Sequence, residues 1–408
     1  MSESASVPDD IDLSHRWVVL PAATLTQATS AFVLLGIGAL TAFFQEKYDL
    51  SAARSGLIIT AVALVPLFAL VPVGRLLDRR SERVIMVTGA FLLAAGAIAA
   101  AFTDSYVMLL TVLLIGGAGY ATTQPGGSKV VAGWFPPRQR GLGMGIRQTG
   151  LPLGGALAAA ILPQVADRHG LRPALLIAAA VAVSGVLIFA VAYRRPPLAF
   201  QGEPYAFGPQ LRALLAHPEI RTAMWASFAL VSSQMAIITY LIIDLRDTRD
   251  IPVTRAAWAL AMAQVAGMAG RVVLAAWSDR LRSGRITAIT VALVGAAVGA
   301  TIMAVFPATA PFWSLLLLAF GFGFFSFGWY GPWVVHIAEV APDHAVGLAL
   351  ALAMTANQLA IVSAPPLFGL LVDITGGFVV PWLVVAVGLL LAATRVRVGA
   401  AQLRDAMG

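Results

Sequence analysis

The feature that most constrains this chain is a series of twelve long apolar stretches, at 17–44, 53–74, 83–103, 106–132, 140–163, 171–193, 221–245, 255–277, 286–307, 311–337, 345–372 and 377–394. A helix that crosses a bilayer needs roughly 20 mainly apolar residues, so each stretch reads as one membrane span. Together they take up most of the 408 residues. Composition agrees, with 59% hydrophobic residues, 12% charged residues and a mean hydropathy of +0.85, far from the balance of a soluble globular chain. The expected class is an all-α, polytopic membrane protein.

An even number of spans puts both ends of the chain on one side, and the basic residues decide which. With the termini inside, seventeen of the 27 Lys and Arg fall in inner loops and tails and seven in outer loops, the bias of the positive-inside rule. The expected location is the cytoplasmic (inner) membrane, with both termini cytoplasmic. The tail 1–16 carries Glu3, Asp9, Asp10 and Asp12 and lacks the basic start of a cleavable signal peptide. The longest polar connection, 194–220, contains Pro196, Pro197, Pro204, Pro209 and Pro218, which leave room only for a short helix along 209–216. The expected organisation is a bundle over 17–193, a cytoplasmic loop over 194–220, a second bundle over 221–394 and a tail over 395–408. The net charge of +7 then reports topology rather than a nucleic-acid partner.

Several chemistries are excluded. The chain has no cysteine, which removes disulfides, thiolate catalysis and cysteine-ligated metals. The five histidines, His15, His169, His217, His336 and His344, are scattered without the spacing of a zinc site. No Ser/His/Asp spacing or pair of deep carboxylates offers enzyme chemistry, and no Gly-x-x-x-x-Gly-Lys-Ser/Thr loop would bind a nucleotide. The chain reads as neither an enzyme nor a cofactor protein.

The two halves repeat. Gly74-Arg75-Leu76-Leu77-Asp78-Arg79-Arg80-Ser81-Glu82-Arg83 lies between spans two and three, and Ser278-Asp279-Arg280-Leu281-Arg282-Ser283-Gly284-Arg285 between spans eight and nine. Asp78 and Asp279 are 201 residues apart. Sliding the second half by 206 residues brings Pro136 onto Pro342, Gly141 onto Gly347, Thr149 onto Thr355 and Asp167 onto Asp373.

Twelve spans in two halves with Gly-x-x-x-Asp-Arg between spans two and three resemble the major facilitator superfamily over nearly the whole chain. The family has Gly at the position of Ser81 and a basic residue at Glu82, whereas Gly74, Asp78, Arg79 and Arg83 match; the second copy keeps Asp279, Arg280, Gly284 and Arg285. The resemblance implies two pseudo-symmetric six-helix bundles that rock about a central path. An Asp at one helix end can accept backbone N–H groups at the start of a neighbouring helix and pair with nearby Arg. These residues are therefore candidates for a conformational latch, beside the simpler role of anchoring loops.

Three basic residues fall inside spans: Lys129, Arg147 and Arg271. Arg147 lies seven residues past Arg140 and Arg271 eight before Asp279, so at 1.5 Å per residue they sit ~10 and ~12 Å deep. Placing Arg there costs about 3 kcal/mol on insertion scales, so such residues face a cavity or a partner. Glu46, Asp104, Asp244, Glu339 and Asp373 all sit near span ends, so little acid is available to pair with them. Two such guanidinium groups describe an anion site. The superfamily resemblance implies that spans one, four, seven and ten line the path and that spans five and eight meet, which would bring Arg147 and Arg271 together. Gly270-Arg271 followed by Ser278-Asp279-Arg280 is also similar to the eighth span of the monocarboxylate and oxalate/formate carriers, where an Arg contacts the carboxylate.

Lys129, five residues before Trp134, either snorkels to the inner surface or contacts substrate. Tyr120, Gln124 and Tyr330 are further candidate contacts, with helix packing as the alternative. Gln27, Gln234, Asn357 and Gln358 either orient a ligand or bond neighbouring helices. His336 is either a proton-coupling group or a structural donor. In span five, Gly150-x-Pro152-x-Gly154-Gly155 is similar to a motif of drug/proton antiporters, and Pro152 frees a backbone carbonyl and allows a bend.

The expected function is secondary transport of a small anion, a monocarboxylate or inorganic anion, by alternating access in a monomer within the lipid bilayer. Protons or a counter-anion would drive it. The alternative is a drug/proton antiporter exporting small hydrophobic or cationic compounds, against which stands the lack of a deep carboxylate.

Overall fold

In the computed structural model, residues 14–197, 207–281, 284–342 and 345–407 are described, and they contain 12 helices long and apolar enough to cross a membrane. Spans one to six are Arg16–Ala39, Ala52–Ala69, Glu82–Ala101, Tyr106–Trp134, Gly143–His169 and Leu171–Ala192. Spans seven to twelve are Pro218–Arg249, Val253–Arg280, Gly284–Val305, Phe312–Val340, Val346–Thr375 and Val379–Gly399. Among the described residues there is no strand.

The ends differ from the expected ones where polar residues extend a helix past its apolar stretch. The second span belongs to a helix Ala52–Arg79, and the last helix runs from Val379 to Met407 through the stretch expected as a tail. The end of the first stretch is a separate helix, Thr41–Tyr48, and Phe207–Ala216 forms a short helix in the central connection. Most of the expected N-terminal tail and part of the central loop lie outside the described residues.

The duplication is visible in the backbone itself. Among the described residues, positive φ occurs at Asp49 and Asp250, which are 201 residues apart, and at Gly170 and Gly376, which are 206 apart. Asp49 and Asp250 close the helices that precede spans two and eight; Gly170 and Gly376 close spans five and eleven. These are the offsets at which the sequence repeats.

Small residues let the helices approach closely, which substitutes for the hydrophobic drive that lipid cannot provide. On span eight, Ala256, Ala259, Ala263, Ala266, Gly267 and Gly270 are buried at helical spacing. They face span ten so tightly that a Cβ on Gly270 would lie 2.3 Å from the Phe324 carbonyl oxygen. Arg271 is therefore set against the wall of span ten.

Three spans are broken at midlength. Span four divides into Tyr106–Tyr120 and Thr123–Trp134, the helical run of span five, which reaches back to Pro137, into Pro137–Gln148 and Gly150–His169, and span ten into Phe312–Gly328 and Tyr330–Val340. Proline has no N–H to donate to the carbonyl four residues back. Pro125, Pro152 and Pro332 deny that bond to Ala121, Gln148 and Gly328, which lie at the three breaks.

Span two packs on span eleven and span five on span eight, and these are the main seams between the halves. At the face opposite the termini, Arg246 donates to the Ala42 carbonyl oxygen at 3.3 Å and to Gln45 Oε1 at 2.7 Å, and Gln164 Nε2 donates to the Thr254 carbonyl oxygen at 2.7 Å. Deeper, Thr60 Oγ1 donates to Val362 O at 2.7 Å and Gln358 Nε2 to Ala63 O at 2.8 Å. Nearer the termini than Gln148 and Arg271, no hydrogen bond or ion pair joins the halves among the described residues.

Candidate functional site

The broken segment of span five brings four elements together. Gln148 ends the helix Pro137–Gln148. Its side-chain Oε1 accepts from Gln27 Nε2 of span one at 2.8 Å, and its Nε2 donates to the Tyr330 hydroxyl of span ten at 3.2 Å. Its main-chain carbonyl accepts from Arg271 Nη1 of span eight at 2.9 Å. Arg271 Nε donates to the Phe327 carbonyl oxygen at 3.2 Å, and its guanidinium carbon stands 5.6 Å from the centre of the Tyr330 ring. Both halves meet at one residue.

The two arginines have different surroundings. Arg147 is 0% exposed. Nη1 donates to Gln124 Oε1 and Ser128 Oγ, both at 3.1 Å; Nη2 donates to the carbonyl oxygens of Thr123 at 2.9 Å and Gln124 at 3.3 Å. These acceptors lie on span four just past its break, and they are reachable because Gly127 has no side chain: a Cβ there would lie 2.6 Å from Arg147 Nε and Nη2. Arg147 clamps span five to span four. Arg271 is partly exposed, and its Nη2 has no hydrogen-bond partner among the described residues. The expected pair of open guanidinium groups is therefore one enclosed clamp and one open end. Neither pairs with a carboxylate among the described residues.

Tyr120, Gln124 and Tyr330 are partly buried around these groups. Gln27 is buried with its Oε1 unpartnered. Of the other intramembrane amides, Gln234 bonds the Ser326 carbonyl at 2.7 Å within its own half, and Asn357 is partly buried with Oδ1 unpartnered. Lys129 points elsewhere, its Nζ donating to the Leu77 carbonyl oxygen at 2.6 Å and standing 3.6 Å from Glu82 Oε1. That is the snorkelling geometry.

His336 Nε2 lies 3.8 Å from Glu219 Oε2. Both line a separate cavity of about 140 Å³ with Thr222, Ile286 and Val396 at the terminal face of the second half. Among the latch candidates, Arg285 pairs with Asp279 and with Glu339 Oε1 at 3.4 Å, and donates to Ser278 Oγ at 2.8 Å. All four residues belong to one half. Gly74 is in open space, and Arg79, Arg83 and Arg280 are exposed; the side chain of Asp78 lies outside the described residues.

Gln148, Gly127 and Ser128 were not among the residues singled out from the sequence. The signal for Gln148 was Pro152 four residues later, whose missing N–H identifies the carbonyl left for another donor. No group of three or more His, Cys, Asp or Glu that could hold a metal occurs among the described residues.

A family model described as Major Facilitator Superfamily matches residues 23–365 and, in a second match, 224–401. Among curated relatives, Monocarboxylate transporter 13 of Bos taurus is 28% identical, covering 97% of this chain and 91% of that protein. The probable sulfoacetate transporter SauU of Cupriavidus necator is 21% identical, covering 86% of each. Among solved structures, a bacterial homologue of the human lysosomal transporter Spinster, in an inward-facing and occupied conformation, superposes with a TM-score of 0.77 at 16% identity, covering 95% of this chain and 97% of that one.

Proposed function

This chain belongs to the Major Facilitator Superfamily and is a multi-pass membrane transporter, and on that premise we propose that it carries a small organic anion past Arg271. The observation that carries the reading is the open guanidinium of Arg271, at the seam between the halves, with no carboxylate partner among the described residues. A cation in that position attracts a carboxylate or sulfonate, and Arg presents a planar fork that fits either. Tyr330, Gln148, Tyr120 and Gln124 supply polar and aromatic groups around it. Relatives named for monocarboxylate and sulfoacetate transport support the same chemical class. In this reading Arg147 holds span five against span four beside the path, and Lys129, bonded to Leu77 and close to Glu82, stays outside it.

In this reading both termini lie in the cytoplasm of an inner membrane, which the positive-inside bias supports, and the path past Arg271 opens inward. The Asp78 and Asp279 loops latch the inner face when the cleft opens outward, the two halves move as bundles on either side of the central loop, and a proton or anion gradient drives a monomeric carrier. A thermal-shift screen of the purified protein against small carboxylates, sulfonates, nitrate and cationic drugs tests the proposal, because a ligand of the folded state raises the melting temperature. Stabilisation by one anion class that disappears in Arg271→Gln is the expected result. Stabilisation by bulky cations alone, retained in Arg271→Gln, overturns it in favour of drug export.

A further inference from the structure

The contact between Arg271 and Gln148 has an unusual origin. The carbonyl of Gln148 would receive the N–H of residue 152 in a continuous helix, and residue 152 is proline. A carbonyl left unpaired in a membrane interior costs free energy, and Arg271 from the opposite half fills the vacancy at 2.9 Å. Arg271 in turn satisfies two of its donors on neutral main-chain oxygens, Gln148 and Phe327, while Nη2 keeps none among the described residues. A charged carboxylate is the stronger acceptor, by roughly a factor of two per bond.

We propose that the Gln148 carbonyl is a built-in substitute for the cargo, holding Arg271 while the carrier is empty, and that an arriving carboxylate displaces it. This rests on the anion reading and deepens it. The tether explains how an empty carrier partly satisfies an intramembrane cation that has no acid partner among the described residues, and how binding is transmitted: displacement cuts the link between spans five and eight nearest the termini. Cargo affinity is then reduced by the fraction of carriers in which the tether is closed. The Gln148 side chain plays a separate part, since its bonds to Gln27 and Tyr330 leave the carbonyl untouched.

Pro152→Ala tests the idea, because it restores the N–H and returns the Gln148 carbonyl to its own helix. The chain has no cysteine, so spin labels can be placed at Leu76 and Leu281, exposed residues at the terminal face of opposite halves. In ligand-free full-length protein in nanodiscs, Pro152→Ala and Arg271→Gln should each shift the label distance to longer values, and the double variant should shift it no further. Gln148→Ala, which keeps the carbonyl, should leave the shift absent. Wild-type distances in Pro152→Ala, or shifts that add in the double variant, overturn the tether whatever the cargo. With sodium pyruvate as the probe, the wild-type distance should move toward that of Pro152→Ala, and the Kd should fall several-fold in Pro152→Ala. An intact cycle without any response to pyruvate overturns displacement by a monocarboxylate while leaving the tether standing, so the two failures are distinct.

Discussion

The carboxylate of Asp373, at the end of span eleven, caps the start of span two in the other half, taking the Ala52 N–H on Oδ1 at 2.8 Å and the Ala53 N–H on Oδ2 at 2.9 Å. A helix N-terminus has N–H groups without intrahelical partners and a positive dipole end, so a carboxylate there is doubly favoured. Tyr240 reinforces the seam by donating to the carbonyl oxygens of Ala52 at 2.9 Å and Pro365 at 2.6 Å. The halves are thus fastened at the face away from the termini. A carrier that alternates must undo these bonds.

Asp373→Asn should therefore loosen that face. Loss of the negative charge at a helix N-terminus costs up to about 1 kcal/mol, which shifts a closed-to-open ratio by up to roughly fivefold. A single cysteine at Ile59, buried beneath the seam, should react several-fold faster with an impermeant maleimide in the Asp373→Asn background. An unchanged rate would show that the cap does not hold the seam.

Gly127→Ala should damage the clamp on Arg147. The new Cβ would lie 2.6 Å from two guanidinium nitrogens, and overpacking of a filled interior costs about 2 kcal/mol. The melting temperature in detergent should drop by more than in Ser128→Ala, which removes only one of the four hydrogen bonds.

Asp279→Asn separates structure from latch. In this conformation Asp279 is exposed and its pairing with Arg285 stays within one half, and an exposed pair is worth at most about 1 kcal/mol. The variant should keep its melting temperature and lose transport rate. A loss of stability with unchanged transport would leave Asp279 as a loop anchor.

Tyr193 gives a pH signature. It donates to Glu82 Oε2 at 2.8 Å, and burial, followed by this bond, pushes its hydroxyl up to about 12. A group whose folded pKa is raised holds its proton more tightly in the folded state, so its contribution is intact below about 10 and is lost as pH climbs toward 12. Melting temperature measured from pH 9 to 12 should fall less steeply in Tyr193→Phe than in the wild type.

Much of the fold was legible in the sequence because the bilayer imposes it. Apolar length found all twelve spans, and the offsets of 201 and 206 residues anticipated the backbone pairs Asp49 with Asp250 and Gly170 with Gly376. Depth from a span end picked out Arg147 and Arg271, and both lie within helices long and apolar enough to span. It could not tell that one is enclosed and the other open, because Arg147 is enclosed by Gly127, Ser128 and the exposed carbonyls of a broken helix, all features of packing. Asp373 was visible as a charge at a span end, yet its partner is 321 residues away in sequence. Gln148 was passed over, because its part depends on its carbonyl, denied by Pro152, meeting Arg271 from the other half.

Uptake of a radiolabelled anion, chosen as the best stabiliser of the wild type, tests the central claim most directly when compared in proteoliposomes of wild type, Arg271→Lys and Arg271→Gln. A charge without the planar fork should leave Arg271→Lys with partial uptake and a raised KM. Arg271→Gln, shown to be folded by a cooperative melt in the absence of ligand, should show no uptake above empty liposomes. Undiminished uptake by Arg271→Gln would contradict the account and remove Arg271 from the substrate path.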